Sequence, residues 1–312
     1  MRRAVIIVNR HAAAGRDSTA RLNQALAGLQ GQGFRTEVSM TASPGHAIEL
    51  ARRADTGPDD RIIAAGGDGT VNEVVSGRLQ SDPGRTPLGV LPFGTGNDVA
   101  QLLGIRSIDA FLTAFKADEC RPWDVLSVRC GEATGDGPRA ALLFAAVGFA
   151  SDLLRATTPR VKRLFGPRLC YSVGFFRALL RHECPQLRVR IGDRTWDEPM
   201  VVALAGNSVQ AGGGMMRVAP GARTDDGEMN VSLIRATGRL AVARQFVRLV
   251  RGTHVHHPRV QYFPATSMEI DGTPAQTVAV DGELVGRTPV RVEVLPRAVS
   301  FLAAAGTEAS RR

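Results

Sequence analysis

Between Ala4 and Asp124 short apolar runs alternate with stretches of helical periodicity, and this alternation limits the folds open to the chain more than any other feature. Ala4 to Val8 is a continuous, largely β-branched run ending at Asn9, after which Leu22, Leu26 and Leu29 recur at helical spacing before Gly31 and Gly33. Phe34 to Met40 reads as a second strand. Ser43 and Pro44 follow as a predicted N-cap and first residue of a helix that carries Ile48 and Ala51. Arg61 to Ala65 is a third strand, Val71, Val74, Val75 and Leu79 mark the next helix, and Leu88 to Leu91 is a fourth strand. Strands separated by helices predict a parallel sheet wrapped on both faces, with ligands at the carboxyl ends of the strands.

Beyond Asp124 the rhythm changes to Val- and Leu-rich strands divided by Gly, Pro and Asp turns, which predicts a mainly antiparallel β half. At 312 residues the chain is about twice the roughly 150-residue domain prior, so two domains are expected. We read 1–127 as an α/β domain, with 298–312 as a candidate completion, and 128–297 as a β-rich domain. With 44% hydrophobic and 22% charged residues, the composition excludes a disordered or collagen-like chain. Thirty-nine basic against 30 acidic residues give a net charge of +9, and Lys116 and Lys162 are the only lysines, so arginine carries the excess and anionic partners are favoured. No apolar run approaches the ~20 residues of a spanning helix, and the short apolar stretch after Arg2 and Arg3 lacks the makings of a signal peptide, so a cytoplasmic chain is expected. Cys120, Cys130, Cys170 and Cys184 form no CxxC pair, so they read as reduced thiols.

The chemistry gathers at two loops. Gly66-Gly67-Asp68-Gly69-Thr70-Val71-Asn72-Glu73 lies where the third strand passes into its helix, and three glycines there let backbone approach phosphate oxygens while helix-start amides face an anion. Asp68 adds a carboxylate suited to holding magnesium through water or positioning a nucleophile. Taken alone, the tetrapeptide is equally a simple glycine turn. Pro92-Phe93-Gly94-Thr95-Gly96-Asn97-Asp98 repeats glycine, hydroxyl, amide and carboxylate after the next strand. Two such loops at one sheet edge point to a phosphate-bearing ligand.

Other phosphate and hydrolase signatures fail. Neither lysine follows a glycine, so there is no Walker loop; GxGxxG breaks at Asn72 and at Val99; GxSxG and HExxH are absent. His254, His256 and His257 suit no standard metal motif and are expected in a solvated loop.

With these residues in view, the sequence resembles the diacylglycerol kinase catalytic-domain group of bacterial lipid kinases, related to sphingosine and ceramide kinases within the NAD kinase-like superfamily. GGDGTVNEV at Gly66 to Val74 and GTGND at Gly94 to Asp98 look like its nucleotide loops. Gly148-Phe149, Gly212-Gly213-Gly214-Met215 leading to Ala219-Pro220, Asp225-Asp226-Gly227 and Asp281-Gly282-Glu283 follow in the order that family shows. The resemblance implies an α/β N-terminal nucleotide-binding domain plus a C-terminal β-sandwich domain that takes the lipid substrate. It implies ATP and Mg2+ as cofactors, with Asn9, Thr41, Gly66, Gly67, Asp68, Gly69, Thr70, Asn72 and Thr95 lining the ATP site. Asn9-Arg10-His11-Ala12-Ala13-Ala14-Gly15 departs from the Asn-Pro of many relatives, with Gly15 and Arg16 left as candidates for phosphate.

Glu283 resembles the family's general base, and the chemistry needs one because an alkanol hydroxyl is a poor nucleophile until a carboxylate accepts its proton. Read without the resemblance, Asp281-Gly282 is the usual type I′ hairpin pair, with Glu283 solvated beside it. The resemblance gives Asp68, Asp98 and Asp124 the task of orienting catalytic magnesium. Asp226 matches the carboxylate of a second, structural magnesium site completed by backbone carbonyls of Arg223 and Glu228; an ordinary Asp-Gly turn accounts for that segment equally well.

Arg160 to Arg181 interleaves Leu164, Phe165, Phe175, Phe176, Leu179 and Leu180 with six basic residues. An amphipathic helix covering the sandwich is the ordinary reading, and an interfacial segment on anionic headgroups is the alternative. The resemblance implies a lipid substrate met at an anionic membrane surface by a peripherally attached protein; no nucleic-acid module is recognisable, and a homodimer stays open. The expected activity is transfer of the γ-phosphoryl group of ATP to a lipid hydroxyl, diacylglycerol or a related glycerolipid. An NAD kinase-type phosphotransferase and a catalytically silent nucleotide- or lipid-binding regulator are the alternatives. GTGND and DGE favour the lipid kinase over the first, and retention of Asp68, Asp98, Asp124 and Glu283 over the second.

Overall fold

The structure, a computed structural model, describes residues 2–12, 16–81, 86–133, 137–157, 173–181 and 183–305. It divides into two compact units, Met1–Val125 with Pro296–Arg312, and Leu126–Leu295.

In the first unit β1 (Arg3–Val8), β2 (Arg35–Met40), β3 (Arg61–Gly66) and β4 (Leu88–Pro92) form a parallel sheet in the order β2-β1-β3-β4, with Phe301 from the end of the chain's last strand beside Leu88. The helices are α1 (Arg16–Gly31), α2 (His46–Arg53), α3 (Asp68–Ser81), α4 (Asp98–Leu102) and α5 (Ile108–Ala117). Strands β3 and β4 are buried along their whole length, as uninterrupted apolar runs in a covered parallel sheet must be. Strand β2 is the edge, and there Val38 and Met40 stay exposed. Because β2 and β3 lie on opposite sides of β1, the strand order reverses between β1 and β3, the place where open α/β sheets hold ligands.

One helix starts later than its sequence suggests. Helix α2 begins at His46, and its N-cap is Gly45 in the left-handed region at φ 81°, not Ser43. The first-turn amides are capped from another helix: Glu73 of α3 accepts from Gly45 N at 2.9 Å and from Ala47 N at 3.2 Å. A carboxylate at a helix N-terminus satisfies orphan donors and opposes the macrodipole, so a cap two residues downstream displaces the local Ser-Pro signal.

The second unit is antiparallel. Its strands are the latter part of β5 (Cys120–Ala133), β6 (Arg139–Ala141), β7 (Phe144–Gly148), β8 (Gln186–Ile191), β9 (Arg194–Gly206), β10 (Met229–Arg235), β11 (Val260–Ala265), β12 (Ser267–Thr273), β13 (Thr277–Val280) and most of β14 (Glu283–Leu302). Pairings run β9-β8-β12-β14-β13-β7 and return to β9, a closed circuit. Two strands make closure possible. The first half of β9 pairs with β8 and its second half with β7, while β14 pairs with β13 near Glu283 and with β12 near Val290. Alternate residues from the circuit, among them Leu187, Val189, Met200, Ile270 and Val292, fill the sandwich core together with Val231 of β10.

Helices α6 (Phe149–Ala156), α7 (173–181) and α8 (Arg239–Arg251) cover a second apolar cluster on β9, β10 and β11. Phe175 of α7 stacks on Phe246 of α8 at 4.2 Å between ring centroids. The described end of the Arg160–Arg181 stretch is therefore the amphipathic helix of the ordinary reading; 158–172, Gly15 and Cys170 lie outside the described residues. Among the described residues Cys120 and Cys130 are free thiols, and no helix is long and apolar enough to cross a membrane.

Within the histidine cluster, His254 departs from its sequence reading while His256 is exposed as expected. His254 is 1% exposed rather than solvated, and burial pushes its pKa down from 6.5 to about 4, with a backbone hydrogen bond at Val218 acting in the other direction and His256 reinforcing the shift. Its folded pKa lies below the unfolded one, so the associated stability is full above pH 6.5 and is lost as pH falls through about 4. Relative to a His254→Phe variant, the natural protein is expected to lose on the order of 3 kcal/mol below that range, measured by denaturant unfolding across pH; parallel pH profiles for the two proteins would contradict this.

Candidate active site

Strands β3 and β4 are in register with Gly66 opposite Pro92, so the two glycine loops leave the sheet side by side. Phe93 N donates to Gly66 O at 3.0 Å, extending the ladder one step into the loops. There the backbones touch: a Cβ on Gly94 would stand 2.5 Å from Gly67 Cα, and a Cβ on Gly67 would stand 3.2 Å from Gly94 Cα. Only a residue without a side chain fits at Gly94.

Polar side chains lock the junction. Asn97, left-handed at φ 52°, accepts from Gly94 N at 2.9 Å and donates to Gly94 O at 2.7 Å, holding the second loop closed on itself. Asp68 reaches from the first loop to the second, where its Oδ1 accepts from Val99 N at 3.1 Å in the first turn of α4. Asp68 is only half-buried, and Thr95 is exposed. Helix α3 begins at Asp68, which puts the positive end of its macrodipole at the end of β3.

Asn9 closes the site across the reversal point. It follows β1, its Nδ2 donates to Thr70 Oγ1 at 3.0 Å, and its Oδ1 accepts from His11 N at 3.0 Å and Ala12 N at 3.3 Å. Thr41, at the end of β2, donates its N–H to Val8 O at 2.9 Å and is 7% exposed. Thus Asn9, Thr41, Gly66 to Asn72 and Thr95 lie at the carboxyl ends of β1 to β4 in one unit. Asp98 and Asp124 differ from Asp68 in exposure. Asp98 is 3% exposed; Asp124, on β5, is fully buried, and its Oδ1 accepts from Arg297 N at 2.6 Å. Asp124 is thereby a pin between β5 and β14.

Glu283 and Asp226 lie in the second unit. Asp281 and Gly282 both have positive φ, 46° and 92°, the geometry of a type I′ turn joining β13 to β14. This hairpin is held rigidly: the Asp281 carboxylate accepts from the backbone amides of Leu142 at 2.7 Å, Leu143 at 2.9 Å and Phe144 at 2.9 Å. Glu283, the first residue of β14, is left exposed, with Arg139 Nη2 at 3.5 Å from its Oε2. The hairpin reading is what the backbone shows, a clamped turn that leaves the Glu283 carboxylate exposed. Asp226 is exposed, and its Oδ1 accepts from Glu228 N at 3.1 Å, while Arg223 pairs with Asp225 at 3.3 Å. Among the described residues no three His, Cys, Asp or Glu side chains converge as a metal cluster, so a cation there would draw on carbonyls and water, the shell a hard ion takes.

A second feature escaped the sequence reading. An apolar cavity of about 110 Å³ lies under α6 and α8, and Ser232, Gln245 and His254 are the polar side chains in its lining. Gln245 could have been found, because it shares the inward helical period of Val242 and Leu249 on α8.

Residues 3–128 match the diacylglycerol kinase catalytic domain, and residues 147–303 match the YegS C-terminal NAD kinase beta sandwich-like domain. A diacylglycerol kinase of Staphylococcus haemolyticus is 30% identical over 272 residues, covering 86% of this chain and 78% of that one. A probable lipid kinase YegS-like protein of Chromohalobacter salexigens is 29% identical over 289 residues, covering 92% of this chain and 89% of that one. The fold is that of a crystal structure of a diacylglycerol kinase from Bacillus anthracis, at TM-score 0.71 and 19% identity over 98% of both chains. Two glycine loops on a parallel sheet, joined in sequence to an antiparallel sandwich, define a kinase of the NAD kinase-like architecture. Within it, this chain belongs to the diacylglycerol kinase family, ATP-dependent lipid kinases that phosphorylate an alcohol group.

Gly94→Ala is expected to force the loops apart and weaken nucleotide binding on the order of 10- to 100-fold with the fold retained, read by calorimetric titration with ATP beside circular dichroism. Gly31→Ala, with open space at the new Cβ, is the control and should bind as the natural protein does. Equal affinities for the two variants would remove the backbone contact from the site.

Proposed function

We propose that this protein transfers the γ-phosphoryl group of ATP to a hydroxyl of diacylglycerol or a related glycerolipid at an anionic membrane surface. The observation that carries the reading is the backbone junction of Gly67 and Gly94 with half-buried Asp68 beside it, in a chain of this family. Backbone of Gly66, Gly67 and Gly69, the N-terminus of α3, and Asn9, Thr41, Thr70, Asn72 and Thr95 serve the nucleotide and its phosphates.

Glu283 acts as general base. It takes the proton of the lipid hydroxyl as that oxygen bonds to the γ-phosphorus, the bridging β–γ P–O bond breaks, and ADP leaves with the bond's electrons. The hydrogen bonds to Asp281 supply the positioning, since the clamped turn needs no reorganisation to present the carboxylate. Asp68 would hold Mg2+ through water, and the ion would neutralise charge between the β- and γ-phosphates. Asp98 and Asp124, both buried, would help to orient that ion and its waters. Asp226, with carbonyls of Arg223 and Glu228, would hold a second, structural Mg2+.

Membrane attachment is supported by the outer faces of α7 and α8. Phe176, Leu180, Leu240 and Val247 are exposed there, 63%, 68%, 65% and 49%, and Arg177, Arg181, Arg244, Arg248 and Arg251 interleave with them. Apolar side chains that enter the headgroup region, ringed by guanidinium groups, suit an anionic bilayer.

Purified protein given labelled ATP, magnesium and separate acceptors should label diacylglycerol or a related glycerolipid; label on NAD alone would overturn the lipid assignment. Glu283→Gln is expected to lower kcat on the order of 10²- to 10⁴-fold with ATP affinity kept, and unchanged turnover would remove Glu283 from the base role. In flotation, the protein should rise with vesicles containing phosphatidylglycerol and remain behind with phosphatidylcholine alone. Equal binding to both, or binding unaffected by Phe176→Asp with Leu240→Asp, would exclude the α7–α8 surface.

A further inference from the structure

Helix α2 is eight residues long, too short to hold its place by its own hydrogen bonds, and α3 supports it from end to end. At its start the Glu73 carboxylate accepts from Gly45 N at 2.9 Å and from Ala47 N at 3.2 Å. Midway, Gly77 lets the two helices meet backbone to backbone: a Cβ there would collide with Ile48 O and stand 2.9 Å from the Ala51 Cβ. At its end the Arg78 guanidinium, 3% exposed, donates to Ala51 O at 3.3 Å and to Ala54 O at 3.1 Å. The acid meets the amide end of α2 and the base its carbonyl end, so each opposes the macrodipole. Helix α2 is thereby seated on α3.

The start of α2 carries more than its end because of what precedes it. Residues 41–45 make the turn at the carboxyl end of β2, across β1 from the glycine loops. Thr41 N donates to Val8 O at 2.9 Å, Ala42 N to His46 Nδ1 at 2.9 Å, and Gly45 N to Glu73. The first two bonds hold the turn to β1 and to itself; the third ties it to the helix that begins at the glycine loop. Asp68, the first residue of α3, is five residues from Glu73, about 7.5 Å of rigid helix. A nucleoside triphosphate with its phosphates at the start of α3 extends its ribose and base across the strand reversal toward the end of β2. Covalent bonds fix the span between the two ends of such a ligand, so the protein must fix the matching span between the glycine loop and the turn. Sheet register places β2, but a turn leaving a strand keeps freedom of its own, and the Glu73 bonds remove it. The same carboxylate occupies the amides at the start of α2 with negative charge, which directs phosphate to the start of α3 instead.

We propose that Glu73 is a positioning residue for the nucleotide: through Gly45 and Ala47 it sets the turn after Thr41 at a fixed span from the glycine loop, so that the base end and the phosphate end of one nucleoside triphosphate are engaged together. The proposal rests on the nucleotide-site reading. Glu73 acts through the chain and not on the reacting atoms, so its effect falls on the affinity for the nucleotide rather than on the chemical step.

The test separates the two ends of the ligand. ATP and inorganic tripolyphosphate, which has the phosphates without ribose or base, are titrated calorimetrically with magnesium into the full natural chain, Glu73→Gln, Glu73→Ala and Arg78→Lys. The natural protein is expected to bind ATP more tightly than tripolyphosphate. In Glu73→Ala that advantage should shrink about tenfold through loss of ATP affinity, with tripolyphosphate affinity kept. Glu73→Gln, which retains one acceptor oxygen, should fall between the two, and this isosteric variant decides the matter where Glu73→Ala fails to fold. In turnover, KM for ATP should rise in both with kcat nearly unchanged. Arg78→Lys, at the far end of α2, should lower the melting temperature and keep the ATP-to-tripolyphosphate ratio. Were Glu73 only a stabiliser of the fold, its variants would melt lower and lose both ligands alike, and a ratio kept in this way overturns the proposal. So does a fall of the ratio in Arg78→Lys as deep as in Glu73→Ala, or a fall in kcat at unchanged KM. A natural protein that binds ATP no more tightly than tripolyphosphate would overturn the nucleotide-site reading as well; a natural preference for ATP that survives in the Glu73 variants would sink the role of Glu73 alone.

Discussion

The glycine-loop site depends on a contact between two pieces of backbone. Gly67 and Gly94 approach so closely that no side chain fits at Gly94, and the register of β3 with β4 places them there. The consequences run outward from that point. With the loops in contact, Asp68 on one can reach Val99 on the other, and the start of α4 becomes part of the same surface as the start of α3. Asn97 in its left-handed conformation then closes the second loop against Gly94. A side chain at the junction would separate the loops and with them every polar contact that spans it.

Several carboxylates in the motifs serve the chain before they serve any substrate. Glu73 caps α2, Asp124 holds Arg297, and Asp281 gathers three amides of the segment from Leu142 to Phe144. Hydrogen bonds from backbone amides to an ionised carboxylate are short and strong, so these residues fix loops that glycine would otherwise leave loose. The motif is thus built of pairs: glycine for close approach, with an adjacent acid to hold the conformation. Glu283 is the exception, exposed beside a turn that its neighbour Asp281 has immobilised. That division lets an open hairpin present a carboxylate with little conformational freedom.

The first unit was largely legible because its signals are local. Apolar runs of strand length, leucines at helical spacing and glycines at strand ends each occupy a few neighbouring residues, and β1 to β4 and α1 to α3 follow from them. The start of α2 was not legible, since its cap comes from Glu73 on another helix and competes with the nearby Ser-Pro pair. In the second unit the antiparallel character could be read from the strand pattern. Closure of the circuit could not, because it depends on β9 and β14 each changing partner midway. The candidate site divides likewise. Asp68 and Asp281-Gly282-Glu283 announce themselves by motif, but that Asp124 is a buried pin and Asp68 the accessible acid depends on which strands cover them.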